Sequence, residues 1–145
     1  MIKTSTSPDE TFSLGKEMGE KAEAGDVILL KGDLGTGKTV FAKGFAEGLG
    51  IPGNEVASPT FTILQEYHQG RLLLYHFDVY RIEEPEEMEE TGFFDLIGGD
   101  GVTLIEWPEK IEEVLSGRFT EVVLEKQPEN GADFRQITIK TVEIK

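Results

Sequence analysis

The sequence predicts a three-layer α/β domain whose central sheet is largely parallel and whose C-terminal edge is antiparallel. Short apolar runs typical of buried strands alternate with helical patterns, which favours a parallel sheet covered by helices. The last strand-like segment instead alternates apolar and polar residues, as a half-exposed antiparallel edge does. The chain has 145 residues and no repeat or low-complexity linker, so we expect a single domain over residues 1–145.

The first helix is expected to begin at Ser7. This residue can cap the helix, Pro8 suits the first helical position, and Glu10 stands where a capping box requires an acidic side chain. Apolar residues at every fourth position from Leu14 to Ala22 would form the buried face of this helix.

The remaining elements follow from apolar runs, alternation and turn residues. Val27 to Leu30 predicts a buried strand, and a second helix from Thr39 to Leu49 is ended by glycine and proline. Further along the chain we expect strands at 60–67 and 71–80, an acidic helical stretch at 83–97, a strand at 102–107, a helix at 108–115, and strands at 120–126 and 134–144.

The loop between the first predicted strand and the second predicted helix carries the strongest chemical signal. Residues 32–39 read G-D-L-G-T-G-K-T and match the pattern G-x-x-x-x-G-K-[ST] at every fixed position. Glycines let backbone N–H groups approach phosphate oxygens at a helix N-terminus, where the helix dipole attracts anions. Lys38 would reach the β- and γ-phosphates, and the Thr39 hydroxyl would bind Mg²⁺. The sequence therefore predicts a nucleotide phosphate site, a P-loop.

Two carboxylates are candidates for the metal side of this site. A P-loop enzyme needs an acidic residue at the end of a neighbouring strand to hold the water shell of Mg²⁺. Asp78 follows an apolar strand and is the first candidate, and Glu106 follows the next buried strand. Both would lie at the carboxyl ends of parallel strands, where α/β sheets bind ligands. His76 lies between apolar residues and is expected to be a core histidine.

The charge of the chain limits its partners. Lys and Arg number 14 and Asp and Glu number 28, so the formal charge is −14. Nucleic-acid binding depends on cations that neutralise phosphates, so direct binding of DNA or RNA is not expected. No apolar run approaches the roughly 20 residues of a membrane-spanning helix, and the chain contains no cysteine. We therefore expect a cytoplasmic protein without membrane contact.

ATP is favoured over GTP, because the N-K-x-D loop with which GTPases bind guanine is absent. Three activities stay open from these residues: ATP hydrolysis, a nucleotide-gated binding module that holds ATP without cleaving it, and a small-molecule kinase. A kinase usually needs an arginine-bearing lid over the phosphates. No long insertion follows the second helix to form one, and the arginines are only Arg71, Arg81, Arg118 and Arg135.

Four short motifs appear along the chain in the order typical of one family. They are G-D-L-G-T-G-K-T at 32–39, S-P-T-F-T at 58–62, H-F-D-V-Y-R at 76–81 and I-E-W-P-E at 105–109. Together they resemble the bacterial TsaE (YjeE) family, the small P-loop ATPases of tRNA threonylcarbamoyladenosine biosynthesis. The resemblance covers the first two thirds of the chain, and the last third agrees in strand pattern.

The resemblance implies roles for particular residues. Lys38, Asp78 and Glu106 would be catalytic, with Asp78 as the Walker B carboxylate and Glu106 orienting the attacking water. Thr39 and Glu106 would bind Mg²⁺, and Thr60 would sense the γ-phosphate. The residues implied to bind the ATP phosphates are Asp33, Leu34, Gly35, Thr36, Gly37 and Lys38. Those implied to lie near adenine are Glu10, Thr11, Gly131 and Arg135.

The same resemblance implies partners. Family members are the ATPase partner of TsaD and TsaB, which transfer the threonylcarbamoyl group to the adenosine beside the anticodon of certain tRNAs. We therefore expect ATP turnover that is slow in the lone chain and depends on these two proteins. The charge of −14 agrees with tRNA binding by the partners rather than by this chain.

Overall fold

The computed structural model describes residues 1–56 and 63–145. Within them the chain forms a seven-stranded sheet in the order β1-β7-β6-β2-β5-β4-β3. The central strands β6, β2, β5 and β4 are parallel, whereas β3 at one edge and β7 and β1 at the other are antiparallel to their neighbours. The strands are β1 (Ile2–Ser5), β2 (Val27–Lys31), β3 (Leu64–Tyr67), β4 (Leu74–Asp78), β5 (Val102–Glu106), β6 (Gly117–Lys126) and β7 (Arg135–Ile144).

Helices and turns cover both faces of the sheet. The α-helices are α1 (Pro8–Lys21), α2 (Lys38–Gly48) and α3 (Phe93–Leu96). Alternate residues of β2 point to opposite faces: Ile28 packs in the core with α2, and Leu29 packs in the second core with α3. Short 3₁₀ segments complete the second layer and the connections, at Gly53–Glu55, Pro85–Thr91, Pro108–Lys110, Glu112–Val114 and Pro128–Asn130.

Helices α1 and α2 lie backbone to backbone, with glycines at the contact. Each helix carries two glycines four residues apart, Gly15 and Gly19 in α1 and Gly44 and Gly48 in α2. A Cβ atom on Gly44 would lie 2.1 Å from the carbonyl oxygen of Phe12. Because no side chain fits at this distance, the glycines set how closely α2 approaches α1. Helix α2 begins at Lys38, so this packing also positions the loop in which the phosphate site is predicted.

The predicted fold class is confirmed, and β6 and β7 form the antiparallel C-terminal edge. Strand β1 is missed, because residues 2–4 are exposed and lack apolar alternation, and only pairing with β7 makes them a strand. Residues 60–62 of the strand predicted at 60–67 lie outside the described residues. No helix among the described residues is long and apolar enough to cross a bilayer.

Two predicted helical segments are wrong in type. Residues 108–115 form two 3₁₀ turns rather than an α-helix, because Ile111 leaves the helical path with φ of −126°. The acidic stretch at 83–97 forms a 3₁₀ helix followed by the single turn of α3. Gly92 separates the two with a φ of 83°, a conformation that interrupts any continuous helix.

The start of α1 confirms half of the predicted capping box. The Oγ of Ser7 accepts a hydrogen bond of 3.2 Å from the N–H of Glu10. The Glu10 carboxylate does not return to Ser7. It accepts instead from the N–H of Thr6 at 3.1 Å and from the Thr6 hydroxyl at 2.7 Å.

Candidate nucleotide-binding site

The P-loop lies where the central strand β2 meets helix α2, which begins at Lys38. Gly35 and Gly37 adopt left-handed φ angles of 77° and 103°, which favour glycine. The hydroxyl of Thr36 donates a 2.9 Å hydrogen bond to the carbonyl of Asp33 and closes the loop. The loop is thus folded over the N-terminus of α2, where backbone N–H groups and the helix dipole favour anions.

Lys38 is buried and crosses the site. Its Nζ donates a hydrogen bond of 2.5 Å to the carbonyl of Gly32 and lies 3.3 Å from the centroid of the Trp107 ring. Burial lowers the pKa of the Lys38 ammonium, and the nearby Glu106 carboxylate opposes this shift. The ammonium is therefore held by a neutral carbonyl and an aromatic face, both of which phosphate oxygens could replace.

Asp78 and Glu106 end neighbouring parallel strands. They are directly paired in the β4–β5 register, so their carboxylates leave the sheet at the same edge. Glu106 is 3% exposed and Asp78 is half-buried. Burial raises the pKa of Asp78, whereas the N–H of Tyr80, which donates to Asp78 Oδ1 at 3.0 Å, lowers it. The two predicted acidic residues are thus adjacent and both influence Lys38.

His76 is paired with the buried carboxylate of the site. Its Nε2 lies 2.6 Å from Oε2 of Glu106, and both side chains are almost fully buried. In the β4–β5 register His76 stands opposite Leu104, so Glu106 is its diagonal neighbour two residues further along. The predicted burial of His76 is confirmed, and its partner is Glu106, one of the two carboxylates predicted for the metal side of the site.

The donor set fits Mg²⁺ arriving with a nucleotide. Thr39 is the second residue of α2, and the carboxylates of Asp78 and Glu106 stand at the ends of adjacent strands. All three side chains offer oxygen atoms, the ligands that Mg²⁺ prefers. Among the described residues no three His, Cys, Asp or Glu side chains are grouped to hold a metal by themselves. Mg²⁺ is commonly bound by one or two carboxylates together with water and substrate phosphates, which is the arrangement these residues allow.

A cleft of about 350 Å³ runs beside the P-loop. Its walls include Asp33 and Thr36 of the loop, Trp107 after β5, and Lys126 at the end of β6. This volume lies within the range of roughly 300–1,000 Å³ typical of small-molecule sites. The cleft is therefore large enough for a small ligand beside the P-loop, and nucleotide binding there stays a prediction.

Of the residues predicted to lie near adenine, Thr11 lies beside the P-loop and Arg135 is bonded to it. A Cβ atom on Gly37 would lie 3.7 Å from the methyl group of Thr11. Arg135 donates hydrogen bonds to the carbonyls of Gly35 and Thr36. The structure thus brings the N-terminal helix and the last strand to the loop, while their contact with adenine stays a prediction.

The other predicted residues are placed differently. The Glu10 carboxylate is engaged with Thr6 at the start of α1, and Gly131 follows a 3₁₀ turn in the β6–β7 connection. Leu34 is 70% exposed at the tip of the P-loop. Thr60 lies outside the described residues. Roles for these four residues in nucleotide binding stay predictions.

Comparison with known proteins identifies the family of the chain. The family model described as threonylcarbamoyl adenosine biosynthesis protein TsaE matches residues 5–137. The chain belongs to the TsaE family. The Bacillus subtilis tRNA threonylcarbamoyladenosine biosynthesis protein TsaE is 48% identical over 135 residues, which cover 93% of this chain and 82% of the relative.

More distant members of the TsaE family and a solved structure give the same result. The Haemophilus influenzae protein with the same name is 42% identical over 115 residues, covering 74% of this chain and 72% of the relative. A crystal structure of Bacillus subtilis YdiB is similar with a TM-score of 0.79 at 40% identity, covering all of this chain and 86% of that chain. Both likenesses extend well beyond the P-loop.

Three features of the site are missed by sequence reasoning. One is the contact of Lys38 with Trp107, whose φ of 63° is the only positive value for a non-glycine residue in the described chain. The others are the His76–Glu106 pair and the bonds from Arg135 to the loop. Of these three features, only the His76–Glu106 pair could have been found from the sequence, and only with the strand register in hand. In that register the two residues lie two positions apart on neighbouring strands.

Proposed function

We propose that the chain binds Mg²⁺·ATP at the P-loop and hydrolyses it, supporting the formation of threonylcarbamoyladenosine on tRNA together with TsaD and TsaB. The observation that carries the proposal is the convergence of Lys38, Asp78 and Glu106 at the P-loop. The names of the relatives at 42–48% identity support the biosynthetic part. Because the modified molecule is tRNA, the proposed place of action is the cytoplasm.

Phosphate binding would use groups that the chain already presents. The N–H groups of the loop and of the α2 N-terminus would receive phosphate oxygens. Lys38 would exchange the Gly32 carbonyl and the Trp107 ring for the β- and γ-phosphates. Burial of the ammonium strengthens this attraction, because the surroundings screen charge less than water does.

Catalysis would rest on charge and position. When bound, Mg²⁺ would neutralise part of the charge on the β- and γ-phosphate oxygens. The hydroxyl of Thr39 and the carboxylate of Glu106 would hold the metal, and Asp78 would hold its water shell. Glu106, kept in place by His76, would orient the attacking water in line with the bond that breaks.

The positions of three of the four arginines support slow turnover by the lone chain. Arg71 donates to the carbonyls of Gly19, Glu20 and Ala22 at the end of α1. Arg118 lies in the far half of the β6–β7 hairpin, and Arg135 is bound to loop carbonyls. Arg71 and Arg135 are thus engaged with backbone carbonyls, and Arg81, three residues after Asp78, is the arginine of this chain that could contact the phosphates. If Arg81 does not serve as an arginine finger, that charge would come from a partner protein.

The test is phosphate release in a single turnover, with the complex of chain, TsaD and TsaB in excess over ATP labelled on the γ-phosphate. Wild-type complex is expected to release inorganic phosphate. The variants Lys38→Ala, Asp78→Ala and Glu106→Ala are each expected to abolish release. Two exposed charges serve as matched controls, and Lys21→Ala and Glu113→Ala are expected to leave the rate unchanged.

The same experiment separates the alternatives. A nucleotide-gated binding module would hold ATP without cleaving it, and a small-molecule kinase would transfer the label to an acceptor instead of releasing it. Turnover at the wild-type rate in all three site variants would contradict the assignment of the site.

A further inference from the structure

The guanidinium of Arg135 is bonded to the outer side of the P-loop. Arg135 is the first residue of β7. Its Nε donates to the carbonyl of Thr36 at 2.9 Å, and its Nη2 donates to the carbonyl of Gly35 at 3.2 Å. Its Nη1 donates to the carbonyls of Ala132 and Phe134, each at 2.9 Å. The guanidinium is thus fixed to its own strand on one side and to the loop on the other.

These bonds control the direction of loop N–H groups. In a trans peptide the carbonyl and the following N–H point in opposite directions. Drawing the Thr36 carbonyl towards β7 therefore turns the N–H of Gly37 towards the opposite side. The N–H of Thr36 already donates to the carbonyl of Asp33 at 3.3 Å, so Arg135 directs loop N–H groups chiefly through the Thr36–Gly37 peptide.

The loop needs such a restraint because glycine is permissive. Gly35 carries one of the bonded carbonyls and Gly37 follows the other, and both adopt left-handed φ angles, which a glycine can leave at little cost. A guanidinium is suited to the task, since its planar fork can hold two neighbouring carbonyls at once.

We infer that Arg135 is a positioning residue of the phosphate-binding loop, which acts through the loop backbone and not by contact with the nucleotide. The inference rests on the proposed function. The four hydrogen bonds that Arg135 donates to carbonyls occupy four of the five N–H donors of a guanidinium, which leaves one donor for adenine. Arg135 thus couples the antiparallel edge of the sheet to the nucleotide site.

The first test measures hydrogen–deuterium exchange of the nucleotide-free chain. Arg135→Ala is expected to raise exchange of the hydrogen-bonded amide in 33–38, the N–H of Thr36 that donates to Asp33, roughly tenfold, as expected for the loss of hydrogen bonds from a charged donor. Arg118→Ala removes the same charge from the far half of the same hairpin and is expected to leave this segment unchanged. Unchanged exchange of 33–38 in Arg135→Ala would overturn the inference.

A second variant covers the case in which Arg135→Ala loosens the whole chain. Arg135→Lys keeps the charge but lacks the fork, so it is expected to raise exchange to an intermediate level and only in 33–38. Wild-type exchange in Arg135→Lys would show that charge alone matters and would overturn the inference.

The second test compares ATP with inorganic tripolyphosphate, which has no base or sugar. Arg135→Ala is expected to weaken both by the same factor, roughly tenfold. Loss of ATP binding with wild-type binding of tripolyphosphate would mean that Arg135 contacts the nucleoside, against the inference. If the wild-type chain binds neither probe, the proposed function fails, while the exchange experiment still decides the role of Arg135.

Discussion

Replacing Gly44 with alanine would place a methyl group where α1 and α2 touch backbone to backbone. The new Cβ would lie 2.1 Å from the carbonyl oxygen and 2.9 Å from the carbonyl carbon of Phe12. Ordinary contacts of a Cβ atom begin near 3.4 Å, and both obstructing atoms belong to the backbone, so no change of rotamer relieves the clash. The helices would have to separate by about 1 Å, which disturbs a close-packed core.

The magnitude follows from two opposing effects. Overpacking of a well-packed site costs about 1–3 kcal/mol and sometimes more. Alanine is favoured over glycine in a helix interior by about 1 kcal/mol. Because this clash is severe, we place the overpacking cost at or above the upper end of its range and expect a net loss of about 2 kcal/mol in the free energy of unfolding.

Urea unfolding followed by circular dichroism measures this loss. Gly44→Ala is expected to lower the midpoint of the transition while the slope stays unchanged. Ser13→Ala, at an exposed position of α1, is the matched control and is expected to unfold like the wild type. A Gly44→Ala variant as stable as the wild type would refute the argument that backbone contact fixes the helix spacing.

Three further predictions concern the site itself. Asp78→Asn is expected to raise the unfolding temperature of the nucleotide-free chain at neutral pH. Burial raises the pKa of Asp78 in the folded state, so ionisation of this carboxyl opposes folding at neutral pH. The extra stability of the variant should therefore shrink as the pH falls through that pKa. A stability difference that grows in acid would contradict this prediction. His76→Ala leaves the buried Glu106 carboxylate without its partner at 2.6 Å. This variant is expected to lose about 2 kcal/mol in the free energy of unfolding in urea and to release phosphate more slowly. Wild-type values for both would disprove the role of His76 in holding Glu106. Trp107 is the single tryptophan, and its ring centroid lies 3.3 Å from Lys38 Nζ. The fluorescence of Trp107 should therefore change when Mg²⁺·ATP draws the lysine away from the ring. Constant emission at saturating ATP would contradict that movement.

The fold class and the loop that precedes α2 could be predicted from sequence because their signals are local. The spacing of the glycines before Lys38 determines a loop, and an apolar run places Asp78 at the end of a strand. By contrast, the segment at 108–115 has helical spacing of apolar residues but folds as two 3₁₀ turns. Spacing over one turn does not distinguish the two helix types, and the backbone at Ile111 decides between them.

Long-range pairings escaped prediction for a different reason. Arg135 bonds to a carbonyl 99 residues earlier, which only the order of strands in the sheet brings near. His76 reads as a core residue, because its neighbours in sequence are apolar and its partner lies on another strand. Both contacts depend on sheet order and register, which no local pattern determines.

The function that we propose for this chain is ATP hydrolysis as part of a tRNA-modifying assembly. The direct measurement is the rate of ATP and GTP hydrolysis with Mg²⁺, by the lone chain and after addition of purified TsaD and TsaB. We predict slow, ATP-specific turnover that changes sharply when the two proteins are added. Turnover that is indifferent to them, or faster with GTP, would contradict the account.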